Sequence, residues 1–293
     1  MDSSISRLET LVKFGFDYNP FKGVNLKTSD RTRIQRIRDL VIEGNEFVII
    51  VGKRGSGKSW TVKAEFGKSK VRQVVVRSSD KLRLLISDIE RAMILDLSEE
   101  TPKRGGEIRA RQLRRILGEA SQKEKIVLII EEAHRLHGMT LRALKTLREM
   151  DWRGETELFA VVLVAQSDPM NKAGVSEVRL RSDTVHLQGL TVNEIKKYVE
   201  ETVGRVFSSK AIKAISLLPE SENYLDLQSI LLSLMGRALA EGHGEVQFED
   251  VLKEFGSEQI ASLEKADVVS LTNVKGEANH EASQALQAVL NAS

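Results

Sequence analysis

Four apolar runs recur along the first two thirds of the chain, and helical patterns separate them. The runs are Glu46 to Val51, Val71 to Val76, Lys125 to Ile130 and Leu158 to Ala165. The last two are apolar at nearly every position, which is typical of strands whose two faces are both covered by helices. The alternation of such strands with helices predicts an α/β fold in which a parallel sheet is flanked by helices.

Amphipathic helices are predicted between and after these strands. In the α/β part they cover Asp80 to Asp96 and Thr140 to Met150. Beyond residue 190 the strand patterns stop and only helical spacing remains, which predicts a small all-helical lid domain. Its helices are expected over Val192 to Val203, Ser208 to Leu218, Leu225 to Glu241 and Phe248 to Phe255.

Local composition sets the predicted domain boundaries. Thr191 and Glu194 have the spacing of a capping box, which places a helix start at the join between the two parts. After about residue 258 the chain is rich in Ala, Asn and Ser, so we expect it to be mobile or weakly helical. The predicted segments are an N-terminal extension over 1–28, the α/β domain over 29–188, the helical lid domain over 189–257 and a tail over 258–293.

A phosphate-binding motif follows the first apolar run. Residues 52–59 read GKRGSGKS and match the full pattern G-x-x-x-x-G-K-[ST]. In such a loop, backbone N–H groups surround the phosphates, the lysine reaches the β and γ oxygens, and the final hydroxyl ligates Mg²⁺. A chance glycine-rich turn would not also sit between a strand and a helix. We therefore predict ATP and Mg²⁺ as cofactors, bound by Gly52, Lys53, Arg54, Gly55, Ser56, Gly57, Lys58, Ser59 and Trp60. Trp60 is expected to be largely core.

Two carboxylates end the third apolar run. We assign Glu131 to the metal, together with Ser59, and Glu132 to polarising the attacking water. The alternative is that both acids only stabilise a helix N-terminus. At the end of the fourth run, Gln166 is expected to sense the γ-phosphate and orient water. Arg179 and Arg181 are alternative arginine fingers for the nucleotide of a neighbouring subunit, or else surface residues.

Composition narrows the class of protein. The 293 residues carry a formal charge of +2, so affinity for nucleic acid must come from a local cluster. Without cysteine, disulfides and thiolate metal sites are excluded. The N-terminus lacks the pattern of a secretory signal, and no apolar run approaches the roughly 20 residues of a membrane span. We expect a soluble, cytoplasmic protein with no membrane partner.

The segment from Lys103 to Arg115, called the basic segment below, is strongly basic. Gly105 and Gly106 divide it into a loop and a helix, which suits contact with the backbone of duplex DNA without sequence preference. Aromatic residues do not interleave with its cations, so stacking on single strands is not favoured. The alternative is a solvated helix face, with Ile108 and Leu113 on the apolar side. The predicted DNA-binding residues are Lys103, Arg104, Arg109, Arg111, Arg114 and Arg115, joined by Lys81 and Arg83.

The segments GKRGSGKS, IVLIIEEAH and VVLVAQSD, followed by a helical lid, resemble the AAA+ ATPases. More narrowly, the chain resembles the branch that holds the transposition regulators MuB and TnsC and the secretion ATPase ExeA. The resemblance covers about residues 14 to 255. It implies switch-like hydrolysis of ATP to ADP and phosphate, assembly into a ring or filament on duplex DNA, target selection, and recruitment or stimulation of a transposase. We expect the hydrolysis to be slow because Glu131 is one methylene longer than the usual aspartate.

The chain departs from that family in three places. Glu131 stands where an aspartate is usual, no counterpart of the MuB helix-turn-helix region precedes the first strand, and the segment ENYLDLQSILL has no arginine facing the phosphates. Two other functions remain open at this point: an ATPase of the ExeA type acting with a membrane secretion partner, and a nucleic-acid helicase. The single α/β unit argues against the helicase.

Overall fold

The computed structural model describes residues 6–68, 70–77, 84–263 and 265. Lys81, Arg83 and residues 266–293 of the predicted tail lie outside this part. The strands are β1 (Phe47–Val51), β2 (Val71–Val76), β3 (Lys125–Ile130), β4 (Ala160–Ala165) and β5 (Asp183–His186). The helices are α1 (Arg7–Lys13), α2 (Ser29–Glu43), α3 (Lys58–Phe66), α4 (Ile86–Leu97), α5 (Gly106–Ser121), α6 (Gly138–Arg148), α7 (Ser176–Arg179), α8 (Val192–Thr202), α9 (Ser209–Leu217), α10 (Tyr224–Ala240) and α11 (Phe248–Phe255).

The five strands form one sheet in the order β2-β3-β4-β1-β5, and every pairing is parallel. The predicted parallel sheet is therefore confirmed. The sequence did not predict β5, because this short edge strand reads DTVH and buries only Val185. In the register, Val51 pairs with Ala165 and Val76 pairs with Ile130. The carboxyl ends of β1, β4 and β3 consequently meet at one edge of the sheet.

Both faces of the central strands are buried, which explains their continuous apolar pattern. Ile49, Leu128 and Leu163 belong to the apolar cluster on one face, and their neighbours Ile50 and Val127 belong to the cluster on the other. Successive side chains of a strand point to opposite faces, so each strand contributes to both clusters. The helices that cover these faces hold the sheet edge, and the loops on it, in a fixed position.

Among the described residues, those from Lys27 to Gly189 form one compact unit, and those up to Leu26 together with those from Leu190 onward form a second. The regular structure that the model describes in the second unit is helical, apart from an isolated bridge between Phe207 and Val246. The described residues of the predicted extension over 1–28 therefore belong to the helical unit up to Leu26, whereas Lys27 and Thr28 belong to the other unit.

Within the helical unit the N-terminal segment is packed rather than free. Leu11 and Phe16 are buried in the same core as Tyr198. The guanidinium of Arg205 lies 4.0 Å from the centre of the Phe16 ring and donates a hydrogen bond to the backbone oxygen of Gly15 at 2.5 Å. These contacts explain why the segment groups with helices almost 200 residues away in sequence. No helix in the described part of the chain is long and apolar enough to span a bilayer.

Candidate functional site

The phosphate-binding loop leaves β1 at Gly52 and enters α3 at Lys58. Gly55 and Gly57 have φ angles of 85° and 77°, in the left-handed region that glycine adopts without strain. A Cβ on Gly52 would lie 2.8 Å from Ser56 Oγ and 3.3 Å from Lys58 Cδ. The glycines of the motif therefore allow a tight loop that folds back over the start of α3.

Two polar groups in this loop lack the partner that a phosphate would supply. Ser56 Oγ is buried and has no hydrogen-bond partner among the described residues. The Lys58 side chain is also buried, and its Nζ donates to the backbone oxygen of Lys53 at 2.8 Å. Burial lowers the pKa of Lys58, and the charge of Glu132 partly opposes this. A buried cation beside an orphaned hydroxyl fits an anionic group such as a phosphate.

Glu131 and Glu132 follow the end of β3, and Glu132 faces Gln166, the residue that follows β4. Its backbone adopts φ 55°, and for a residue other than glycine this conformation costs about 1–2 kcal/mol. Gln166 Nε2 donates to Glu132 Oε2 at 3.3 Å. The fold thus brings together the two residues assigned from sequence to activating water.

His134 also belongs to this group of side chains, although we assigned it no role from its sequence position. Its Nε2 lies 3.6 Å from Glu132 Oε2, and the backbone N–H of Gln166 donates to its Nδ1 at 3.4 Å. That bond requires Nδ1 to carry no proton. Burial lowers the pKa of His134, which favours the neutral ring. Lys172 Nζ donates to the backbone oxygen of His134 at 2.7 Å and fixes the turn.

Glu131 is bound by an arginine that the sequence analysis missed. Arg77 Nε lies 2.8 Å from Glu131 Oε2, and Arg77 Nη2 donates to Oε1 at 3.0 Å. Arg77 follows β2, and the register of Val76 with Ile130 places the residues after each strand side by side. Only the pairing of two strands distant in sequence could have identified this contact.

Ser59 and Glu131 line the same cavity of about 420 Å³, together with Arg77. A hydroxyl and a carboxylate are oxygen donors of the kind that Mg²⁺ prefers. The donor set therefore fits the predicted metal site. Arg77 binds the same carboxylate and therefore competes with a metal ion for it. The sequence motifs that predicted Ser59 and Glu131 as ligands do not indicate this competition.

Trp60 is not core, contrary to expectation, because 45% of the residue is exposed. The guanidinium of Arg31 lies 5.0 Å from the centre of its ring, and Arg31 Nε donates to Glu65 Oε1 at 2.5 Å. Lys53 and Arg54 complete the loop at the surface. An exposed indole one residue after the loop is placed to respond to a ligand there.

The two candidate arginine fingers differ in their surroundings. Arg181 is ion-paired with Glu149. Arg179 is exposed at the end of α7 and forms no ion pair within the described part of the chain. Neither side chain contacts the phosphate-binding loop of its own chain through a described hydrogen bond. Arg179 is thus the more accessible of the two to a second molecule.

The basic helix α5 does not present a continuous row of free cations. The prediction that Arg109 contacts DNA conflicts with its position, because the residue is only 6% exposed. Its Nε lies 2.7 Å from Glu90 Oε2, and its Nη1 donates to the backbone oxygens of Lys103 and Arg104. Arg109 fastens α5 to α4 and to the preceding loop. The sequence could not show this, because the partner acid lies on another helix.

The other cations of the segment fall into two groups. Arg114 is paired with Asp151, and Arg115 with Glu100 and Glu119, so acids outside the basic segment neutralise both arginines. The second group, Lys103, Arg104 and Arg111, is exposed and has no acid partner outside the segment among the described residues. Arg111 has only an i,i+4 partner on its own helix, and Lys103 and Arg104 form no ion pair among the residues described. Ile108, expected on the apolar side, is 61% exposed.

Residues 41–171 match a family model described as an AAA domain. Among curated proteins, none matches this chain. Several solved structures share its fold. Cdc6p from Pyrobaculum aerophilum is 17% identical, with a TM-score of 0.58 over 85% of this chain and 71% of the other. A chain of Drosophila ORC bound to DNA is 14% identical, with a TM-score of 0.59 over 86% of this chain and 66% of the other.

The Aeropyrum pernix ORC2 protein, solved as ADPNP-ADP complexes, is 16% identical, with a TM-score of 0.53 over 83% of this chain and 71% of the other. The present chain spans 66% of the Drosophila ORC chain, which is just under two thirds of its length. At such identities the likeness concerns the fold alone. Together with the motif match and the parallel sheet, it leads to one conclusion: residues 41–171 are similar to an AAA domain, and the chain shares the α/β fold of these structures.

Proposed function

We propose that this chain binds ATP at the loop 52–59 and hydrolyses it to ADP and phosphate. One observation carries the proposal. The buried Lys58 and the unpartnered hydroxyl of Ser56 lie at the same edge of the sheet as the hydrogen-bonded pair of Glu132 and Gln166. The ADPNP and ADP in the Aeropyrum pernix complexes support a nucleotide as the ligand. Phosphoryl transfer needs chiefly positioning and charge neutralisation, and these residues can supply both.

Each residue has a distinct role in this proposal. Lys58 exchanges the backbone oxygen of Lys53 for phosphate oxygens, with which its positive charge forms stronger, charge-assisted hydrogen bonds. Glu132 accepts a proton from the attacking water, and Gln166 orients that water through its amide. Ser59 and Glu131 would hold Mg²⁺, which neutralises charge on the phosphates when bound. Freeing Glu131 for this purpose requires Arg77 to move.

Loss of Lys58 tests the binding step. We expect Lys58→Ala to weaken the binding of an ATP analogue by about 30-fold or more, because a buried charge-assisted contact contributes about 2 kcal/mol or more. Calorimetric titration of the purified chain measures this. Lys145→Ala is the matched control, since Lys145 pairs with Glu177 away from the loop. Equal affinity of the wild type and Lys58→Ala for the ATP analogue would show that the loop does not bind the nucleotide.

At a finer level, we propose that the chain is an ATP-dependent, DNA-binding regulator of transposition that recruits or stimulates a transposase. The sequence resemblance to MuB and TnsC supports this, and the Drosophila ORC chain that shares the fold is bound to DNA. The phosphate contacts are now proposed at Lys103, Arg104 and Arg111, the exposed cations of the basic segment that form no ion pair with a described acid outside it. Arg114 and Arg115 are left out of this surface because Asp151, Glu100 and Glu119 neutralise them.

Charge reversal tests the DNA surface. Changing Lys103, Arg104 and Arg111 to glutamate should abolish ATP-dependent binding to random duplex DNA while nucleotide affinity is kept. The control reverses Lys197, Lys210 and Lys213, which are exposed on the helical unit and alter the net charge equally. Affinity of the wild type should fall steeply with salt, as counterion release requires. If both triple variants bind DNA alike, this surface is not the DNA site.

We also propose that ATP lies between copies of the chain in a ring or filament, with Arg179 as the finger that reaches the neighbouring nucleotide. Arg179→Ala should then keep nucleotide binding but lose the rise in ATPase rate that accompanies assembly. Arg181→Ala is the matched control, because Arg181 is held by Glu149. Electron microscopy with an ATP analogue and duplex DNA shows the assembly directly. A monomer under all conditions would contradict this part of the proposal.

A further inference from the structure

The turn between α10 and α11 holds a group of side chains that the proposed ATPase does not use. Helix α10 ends at its C-cap Glu241, followed by Gly242 with φ 79°. The backbone N–H of Gly242 donates to the oxygen of Leu239, and that of His243 donates to Ala238 at 2.7 Å. These two bonds form a Schellman motif. The motif fixes the backbone from which Glu241 and His243 project.

Asp250 approaches the same place from the first turn of α11. Its Oδ2 accepts a hydrogen bond from the backbone N–H of Gln247 at 2.7 Å, which caps the helix. The Asp250 side chain is 0% exposed, yet its Oδ1 has no hydrogen-bond partner among the described residues. Burying a carboxylate oxygen without a partner is strongly unfavourable. This oxygen therefore needs a cation or a donor.

His243 faces the orphaned oxygen. Its Nδ1 lies 3.5 Å from Asp250 Oδ1, too far for a good hydrogen bond. One ligand atom each from Glu241, His243 and Asp250 can be chosen so that all lie within 4.8 Å of one another. Tetrahedral ligands at bonds of about 2.1 Å are roughly 3.4 Å apart. Closing the three atoms onto one ion therefore requires small rotations of two exposed side chains.

We propose that Glu241, His243 and Asp250 form a binding site for a divalent transition metal such as Zn²⁺, completed by water. One imidazole and two carboxylates suit zinc and its first-row neighbours, whereas Mg²⁺ and Ca²⁺ prefer oxygen ligands throughout. The ion would supply the missing partner of Asp250 Oδ1. It would also join the end of α10 to the start of α11, and so stabilise the helical unit.

Two neighbouring contacts bear on this site. Lys253 forms an ion pair with Glu241, and its hydrogen bond lowers the pKa of that carboxyl, so Glu241 stays ionised, but Lys253 must share or release the carboxylate when a metal binds. An ion pair between protonated His243 and Asp250 is the rival explanation of the cluster. It would satisfy the orphaned oxygen without any metal. The two explanations differ in what they predict for a metal titration.

Binding of Co²⁺ to the full chain, stripped of metal by a chelator and free of nucleotide, distinguishes them. We expect one ion per chain with the intense visible absorption of four-coordinate Co²⁺, displaced by Zn²⁺. His243→Ala should lose this signal, and Asp250→Asn, which keeps an oxygen to cap α11, should weaken binding by at least about 10- to 100-fold. His186→Ala is the control for an exposed histidine elsewhere and should bind as the wild type does.

Any ion held at Ser59 and Glu131 would survive in His243→Ala, so failure of the ATPase proposal would leave this test unaffected. The proposal is overturned if the wild type shows no four-coordinate Co²⁺ spectrum, or if His243→Ala binds the ion equally well. A wild type that binds no metal would leave the ion pair between His243 and Asp250 as the explanation of the cluster.

Discussion

Gly52 shows how little space the phosphate-binding loop leaves at the scale of single residues. A Cβ there would lie 2.8 Å from Ser56 Oγ, closer than a Cβ can approach without a shift, and 3.2 Å and 3.3 Å from Leu187 Cβ and Lys58 Cδ, which is tighter than usual. The backbone there needs no special φ angle, so the requirement for glycine is one of space. Such contact lets the loop wrap closely around a ligand.

Gly52→Ala should therefore disturb the loop without unfolding the sheet. We expect nucleotide affinity to fall roughly 10-fold or more, since overpacking typically costs about 1–3 kcal/mol and about 1.4 kcal/mol is a factor of ten. Binding of an ATP analogue measures the effect. The control is Gly236→Ala in α10, where a Cβ meets nothing within 4 Å, and affinity should be unchanged. If Gly52→Ala binds the ATP analogue as tightly as the wild type, the loop has space for a methyl group at this position.

The sequence was a good guide to residues whose role depends on neighbours in the chain. Spacing alone identified Lys58 in its loop, and strand ends identified Glu132 and Gln166, which the fold joins at 3.3 Å. Arg77 escaped because its partner Glu131 is 54 residues away and meets it only through the pairing of β2 with β3. Contacts of that kind are set by sheet order, which no local pattern contains.

At the scale of elements, α5 illustrates the same limit. A run of basic residues predicts a charged helix, but it does not reveal which cations other elements neutralise. Arg109 is drawn inward by Glu90 of α4, whereas Arg111, two residues later, stays in solvent with Glu107. The short β5 was missed for a related reason: an edge strand with one buried side chain has no apolar run.

Arg109→Ala and Arg111→Ala should separate the two roles of α5. We expect Arg109→Ala to reduce the free energy of unfolding by about 3 kcal/mol, because it leaves the largely buried Glu90 without its partner. Arg111→Ala should alter it by less than about 0.5 kcal/mol, since both partners are exposed. Urea unfolding measures both values. Equal stability of the two variants would mean that Arg109 does not fasten α5 to α4.

At the scale of the whole molecule, each of the two compact units has a core of its own. The helical unit is centred on residues such as Tyr198, which stacks with Phe21 at 6.5 Å and accepts a hydrogen bond from Gln228 Nε2 at 2.8 Å. The sequence predicted these helices almost to the residue. It did not predict that the N-terminal segment would join them, because that packing depends on a few apolar side chains in an irregular stretch.

Burial raises the pKa of Tyr198 to about 12. The unfolded chain releases this proton near the ordinary value of about 10, so the stability that Tyr198 contributes is complete below pH 10 and is lost between pH 10 and 12. The loss should reach about 2–3 kcal/mol. Denaturant unfolding at pH 9 and pH 11.5 measures it, with Tyr198→Phe as the comparison. If the two proteins lose equal stability across this interval, Tyr198 is accessible to solvent.

The account depends most on the claim that this chain uses Glu132 to hydrolyse ATP held by Lys58. Phosphate release by the purified chain with Mg²⁺ and ATP, in the presence of duplex DNA, tests it directly. We predict measurable turnover in the wild type, and a loss of about 100- to 10,000-fold in Glu132→Gln with ATP binding preserved. A wild type that binds no ATP, or a Glu132→Gln variant that turns over at the wild-type rate, would contradict the claim.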